Sequence, residues 1–157
     1  MSRTQLVTAA GFVVVVVVYA ALSGLWTSAQ PGWYAALERP SWQPPPWVFG
    51  VVWPLNFAAL LVSGVSLAAR VEPRQAVVPL MVLTASVGFA LGWAYLFYVP
   101  HALGAAALAL AVAAALTWLL VGTFWRVVPW TGAILVPYAL WMSVATSLAV
   151  GYWRPTR

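Results

Sequence analysis

The chain has 157 residues, of which 64% are hydrophobic and 6% charged: seven arginines, two glutamates (Glu38 and Glu72), no lysine and no aspartate. A soluble domain carries about a quarter charged residues, so this chain cannot cover a water-facing surface and reads as an integral membrane protein. The net charge of +5 does not point to nucleic acid, because the arginines are scattered at the ends of apolar runs, and the absence of cysteine excludes disulfides, thiolate catalysis and cysteine metal sites.

A helix needs about 20 residues to cross the hydrocarbon of a bilayer. Cutting the chain at charges and prolines predicts five spans. The first covers 5–26. It includes six consecutive valines, Val13 to Val18, which would favour a strand in water but form helix in lipid, where the backbone must satisfy itself. It resembles a signal peptide at its start, yet the apolar run continues to Trp26 without a clear cleavage site, so it is read as a retained span. Residues 27–45 form a loop rich in proline and tryptophan.

The second span covers 46–69, with prolines 44 to 46 suited to a helix start. A short polar turn, Arg70 to Arg74, follows. Residues 75–125 carry no formal charge, too long a stretch for one span and right for two. Pro100 disfavours helix at its predecessor, so the third span is 76–99 and the fourth 102–125. Arg126 to Pro129 closes the fourth, and the fifth covers 130–152. The expected architecture is all-α: a single domain of five transmembrane helices, with termini on opposite sides. Arg3, Arg70, Arg74 and Arg126 fall on one side; Arg39, Arg154 and Arg157 fall on the other. Four against three does not fix the orientation.

Little here supports acid–base chemistry. Intramembrane ionisable groups mark ion paths, and no such group lies well inside a predicted span. Both glutamates sit in loops. Proton-coupled transport and general acid–base catalysis are disfavoured. His101, the one histidine, reads as a turn residue between the third and fourth spans, with axial haem ligation as the alternative; alone it makes no metal site. Trp26, Trp118, Trp125, Trp130 and Trp153 read as interfacial belt residues. Trp53, Trp93 and Trp141 lie deeper, where an indole either packs between helices or lines a cavity. Gly88 and Gly92 make a GxxxG pair in the third span, and Gly104 to Ala115 is nearly polyalanine; such faces let helices approach closely, and a homodimer through the third span is expected. Val150-Gly-Tyr152-Trp-Arg154 fits a loose sterol-contact pattern, which any last helix can show.

Several stretches resemble the tryptophan-rich sensory protein family, also called translocator protein or peripheral-type benzodiazepine receptor. In and after the first loop these are Trp33-Tyr34, Leu37, Arg39-Pro40, Trp42, Pro44-Pro45, Val48-Phe49 and Trp53. Trp93-Ala-Tyr-Leu-Phe97 is similar to the family's stretch in the third helix, and Val136-Pro-Tyr-Ala-Leu-Trp141 with Ala145-Thr146 and Leu148 to that in the fifth. The resemblance implies a five-helix membrane protein, commonly dimeric, whose first loop lids a pocket for tetrapyrroles, sterols or isoquinoline and benzodiazepine drugs. It implies pocket residues Trp33, Leu37, Trp42, Trp53, Trp93, Phe97, Trp141 and Ala145. Arg39 is suited to pair with ligand carboxylates, or alternatively with Glu38 or a lipid phosphate.

The departures from the family pattern are Ala90 and Ala149 where amides are usual, Ser41 before Trp42, Phe57 in place of a tyrosine, and a displaced Tyr152. The pocket therefore lacks two amides, and ligands that rely on them should bind poorly. The expected function is a receptor or sensor for a porphyrin such as protoporphyrin IX or haem. It requires no cofactor, and its partners are the membrane, the ligand and a second copy. The alternatives are slow light-dependent porphyrin breakdown and transport of porphyrins, sterols or lipids.

Overall fold

The computed structural model describes residues 1–28 and 30–156; Arg157, counted above with Arg39 and Arg154, lies outside the described residues. Helix α1 (Arg3–Ser23) opens with a reciprocal cap in which the Gln5 N–H donates to Ser2 Oγ at 3.1 Å and the Ser2 N–H to Gln5 Oε1 at 2.8 Å. It ends three residues earlier than the apolar run suggests, because Gly24 caps it and the chain turns through residue 28. Within the valine run only Val16 is fully buried; Val13, Val14, Val17 and Val18 face outward, as lipid allows.

The loop contains a one-and-a-half-turn helix, α2 (Pro31–Ala36), which hydropathy alone does not reveal because it is too short to carry a periodic pattern. Helices α3 (Pro46–Arg70), α4 (Pro73–Tyr98) and α6 (Pro129–Trp153) each start with proline in the first turn, where the missing N–H costs nothing. Helix α4 gains its first turn from the Glu72 N–H donating to Gln75 Oε1 at 3.1 Å, so it begins before the predicted residue 76. Helix α5 (Leu103–Val127) follows a tight turn in which His101 takes a left-handed φ of 55°. The five long helices have 21 to 26 residues, about 31–39 Å at ~1.5 Å per residue, enough to cross a bilayer.

These five form a closed ring. Helix α1 packs on α3 and α4, α3 on α6, α6 on α5, and α5 on α4. The small side chains of α5, Ala106, Ala107, Ala113 and Ala114, are buried between its two neighbours. Close approach elsewhere uses Gly64 of α3, where a Cβ would lie 2.8 Å from the Phe12 ring of α1. Hydroxyls tie the ring together in place of surface charge. Ser63 Oγ donates to the Thr131 carbonyl across α3 and α6 (3.1 Å), Ser86 and Thr117 join α4 to α5 (3.0 Å), and the Tyr138 hydroxyl donates to Tyr19 across α6 and α1 (3.0 Å). Each such bond satisfies a group that lipid cannot. At one end Arg70 lies 5.0 Å over the Trp130 ring; the other end opens into a chamber beneath the first loop.

Candidate ligand-binding site

Helical period alone assembles the chamber walls. On α3, Phe49, Trp53 and Phe57 are spaced four apart and share one face. On α4, Ala90, Trp93, Ala94 and Phe97 do the same, and on α6 so do Trp141, Ala145, Leu148, Ala149 and Tyr152. With Tyr19 of α1 and Leu110 of α5 they enclose a cavity of ≈ 470 Å³, within the usual range for small-molecule sites. Several of the aromatic rings brace one another edge-on. Trp53 meets Trp141 at 6.4 Å and 90°, Phe49 meets Trp141 at 5.3 Å and 75°, and Tyr19 meets Trp53 at 6.1 Å and 84°. Such contacts fix ring orientations and leave little freedom for the walls to collapse. The indole nitrogens of Trp93 and Trp141 are buried without a hydrogen-bond partner.

Over one end of the cavity lies the lid, made of α2 and residues 37–45. Consecutive residues of a helix point about 100° apart, and α2 uses this to face two ways. Tyr34 lines the chamber and packs against Phe97, Tyr98 and Tyr152. Trp33 stacks on His101 at 3.7 Å, nearly parallel, and meets Phe97 edge-on at 5.5 Å. A tight turn, with the Gln43 N–H donating to the Pro40 carbonyl at 3.1 Å, then splits the next pair of side chains. Gln43 enters the chamber and accepts from the Tyr152 hydroxyl. Trp42 goes outside and donates from Nε1 to Ser147 Oγ of α6 at 3.1 Å. Pro40 and Trp42 rest on Gly151, where a Cβ would come within 2.6 and 3.1 Å of them.

Of the residues singled out from the sequence, Arg39, Trp53, Trp93, Phe97, Trp141 and Ala145 line this one chamber. Trp33 and Leu37 instead line a separate recess of ≈ 420 Å³, with His101, the start of α5 and Trp153. Trp42 is half exposed and touches the lid's outer seat rather than the cavity. Arg39 stands at the mouth and forms no ion pair with Glu38; the ion pair among the described residues joins Arg74 to Glu72. Gly88 and Gly92 meet nothing within 4 Å of a Cβ position, so their faces are open within the chain. Trp153 is the last residue of α6 and packs on Gly104, whereas Trp118 lies well inside α5 with its Nε1 3.0 Å from Ser143 Oγ rather than at a span end.

Beyond the pocket residues expected from the sequence, the chamber is also lined by Phe49, Tyr34, Gln43, Tyr152 and Tyr19. The four-residue spacing from Phe49 through Trp53 to Phe57 was a signal for the first. The same period continued from Trp141 to Tyr152 was one for the fourth. Nothing in the sequence marks Tyr19, which reaches the chamber only through the packing of α1. Ala90 and Ala149, the two positions without amides, both line the chamber. No cluster of three metal-ligating side chains occurs among the described residues.

The TspO/MBR family model matches residues 12–154. Over 134 residues the chain is 34% identical to Protein CrtK of Rhodobacter capsulatus, covering 79% of each chain. It is 29% identical over 124 residues to the human translocator protein, covering 78% of this chain and 73% of that one. It is 30% identical over 121 residues to the tryptophan-rich sensory protein of Cereibacter sphaeroides, covering 74% and 72% respectively. A match over nearly the full length, on five apolar helices long enough to span a bilayer, makes this chain an integral, multi-pass membrane protein of the TspO/MBR family.

Proposed function

We propose that the protein is a membrane receptor for a flat hydrophobic ligand, a tetrapyrrole above all, held in the chamber beneath the first loop. The observation that carries this reading is the chamber itself: ≈ 470 Å³, walled by Trp53, Trp93, Phe97 and Trp141, with Arg39 at its mouth. A macrocycle gains from indole faces and from shielding against water, and a lid anchored to α6 supplies the shield. Transport ranks lower, because the buried side chains among the described residues include no Arg, Lys, Asp or Glu, and so lack the charge that coupled transporters place at mid-membrane.

Titrating the purified protein with protoporphyrin IX in the dark and following tryptophan fluorescence tests the reading. Saturable quenching that Trp141→Ala weakens supports it; quenching that never saturates overturns it. A second reading, slow light-dependent breakdown of the bound porphyrin, draws on the oxidisable indoles of Trp53 and Trp141, 6.4 Å apart at the cavity wall. The light chemistry would belong largely to the ligand. A change in the bound porphyrin's absorption spectrum under illumination, absent in darkness and reduced in Trp53→Phe, is its expected signature.

A further inference from the structure

The polar groups of the chamber gather at its mouth. There Tyr34, Gln43 and Tyr152 close a triangle: the two hydroxyls are 3.2 Å apart, Gln43 Nε2 donates to the Tyr34 oxygen at 3.4 Å, and the Tyr152 hydroxyl donates to Gln43 Oε1. Arg39 lines the same mouth. It lies within Coulombic reach of Tyr152 yet makes no hydrogen bond or ion pair among the described residues. Ser23 and Thr27, also on this rim, donate to backbone carbonyls of their own turn.

The balance of this cluster is one-sided. A guanidinium only donates, an amide nitrogen carries two hydrogens, and each tyrosine brings one more; the acceptors are one amide oxygen and two phenol oxygens. Donors exceed acceptors, the formal charge is positive, and no carboxylate lines the chamber. Below the mouth the walls are aromatic and aliphatic. A ligand that satisfies both zones has an apolar body and an anionic, acceptor-only end.

We propose that the mouth is a carboxylate subsite. The ligand enters apolar end first and leaves a carboxylate between Arg39 of the lid and Tyr152 of α6, with Tyr34 and Gln43 turning their donors to it. A planar carboxylate matches the guanidinium bidentately and has lone pairs left for the hydroxyls. Because three of the four residues belong to the lid and the fourth to α6, the same carboxylate ties the lid shut over its own ligand. The inference rests on the tetrapyrrole reading above and deepens it.

The test titrates the full-length protein with protoporphyrin IX and with its dimethyl ester, which has the same macrocycle and no anionic end. Wild type, Arg39→Gln and Tyr152→Phe are compared by tryptophan quenching. Charge-assisted hydrogen bonds are worth about tenfold or more in affinity, so the free acid should bind wild type at least about tenfold more tightly than the ester. Both variants should lower the acid's affinity toward the ester's by a clearly larger factor than they change ester binding, and saturable ester binding shows that they are folded. Equal affinity of wild type for acid and ester overturns the subsite and leaves the chamber standing. Failure of both compounds to quench saturably overturns the chamber reading and the subsite with it.

Discussion

Replacing Gly151 by alanine sets one methyl group against the lid. The added Cβ would lie 2.6 Å from Pro40 Cγ and 3.1 Å from Trp42 Cζ2, whereas carbon atoms reach contact near ~3.5 Å. Pro40 must therefore retreat by about 0.9 Å. Neither partner is a flexible chain end: one is a proline ring and the other an indole pinned by its bond to Ser147. Helix α6 is buried in the ring and will not yield, so the lid moves. A shift of that size stretches the 3.1 Å Trp42–Ser147 hydrogen bond beyond useful length, which costs about 0.5–1.5 kcal/mol. With residual overlap the lid should loosen by about 1–2 kcal/mol, a factor of roughly 5–30 in its opening equilibrium. Amide hydrogen exchange across residues 33–43 reads that equilibrium directly and should accelerate by the same factor. Protection in α5 and α6 should not change. Gly122→Ala, which meets nothing within 4 Å, is the control. Unchanged exchange in the lid of Gly151→Ala would refute the idea that Gly151 seats it.

Three further outcomes are expected. Gly64→Ala drives a methyl to within 2.8 Å of the Phe12 ring between two packed helices, so thermal unfolding in detergent should show a loss of about 1–3 kcal/mol. Ala90→Asn and Ala149→Asn each place an amide on the chamber wall and should raise affinity for a carbonyl-bearing isoquinoline drug about 3–10-fold, the worth of one hydrogen bond, measured by competition against bound porphyrin. The homodimer proposed through the open face of Gly88 and Gly92 on α4 predicts a dimer mass for wild type and a monomer mass for Gly88→Leu/Gly92→Leu by light scattering; equal masses would remove this face from the interface.

The fold was largely legible because hydropathy in a bilayer is a strong constraint. Runs of about 20 apolar residues can only be helices, and Pro46, Pro73, Pro100 and Pro129 punctuate them. The boundaries moved by a few residues where caps that hydropathy does not weigh, such as Gln75 on the Glu72 amide, extended a first turn. The candidate site was legible on the helices and less so in the loop. Trp53, Trp93, Phe97, Trp141 and Ala145 lie on regular helices, where spacing fixes a face. Trp33, Leu37 and Trp42 lie in a segment where each turn reverses the side-chain direction, so neighbours in sequence point to different places.

By itself, then, the sequence determined that this is a five-span helical membrane protein with an aromatic interior, since composition and period decide what lipid permits. Only the tertiary structure decided that α1 and α3 close a ring with α6, α5 and α4, that Trp33 leaves the chamber for His101 while Tyr34 enters it, and that Tyr34, Gln43 and Tyr152, more than a hundred residues apart at the extremes, meet at one mouth. Those choices depend on which faces pack together once the helices exist, and no local pattern encodes them.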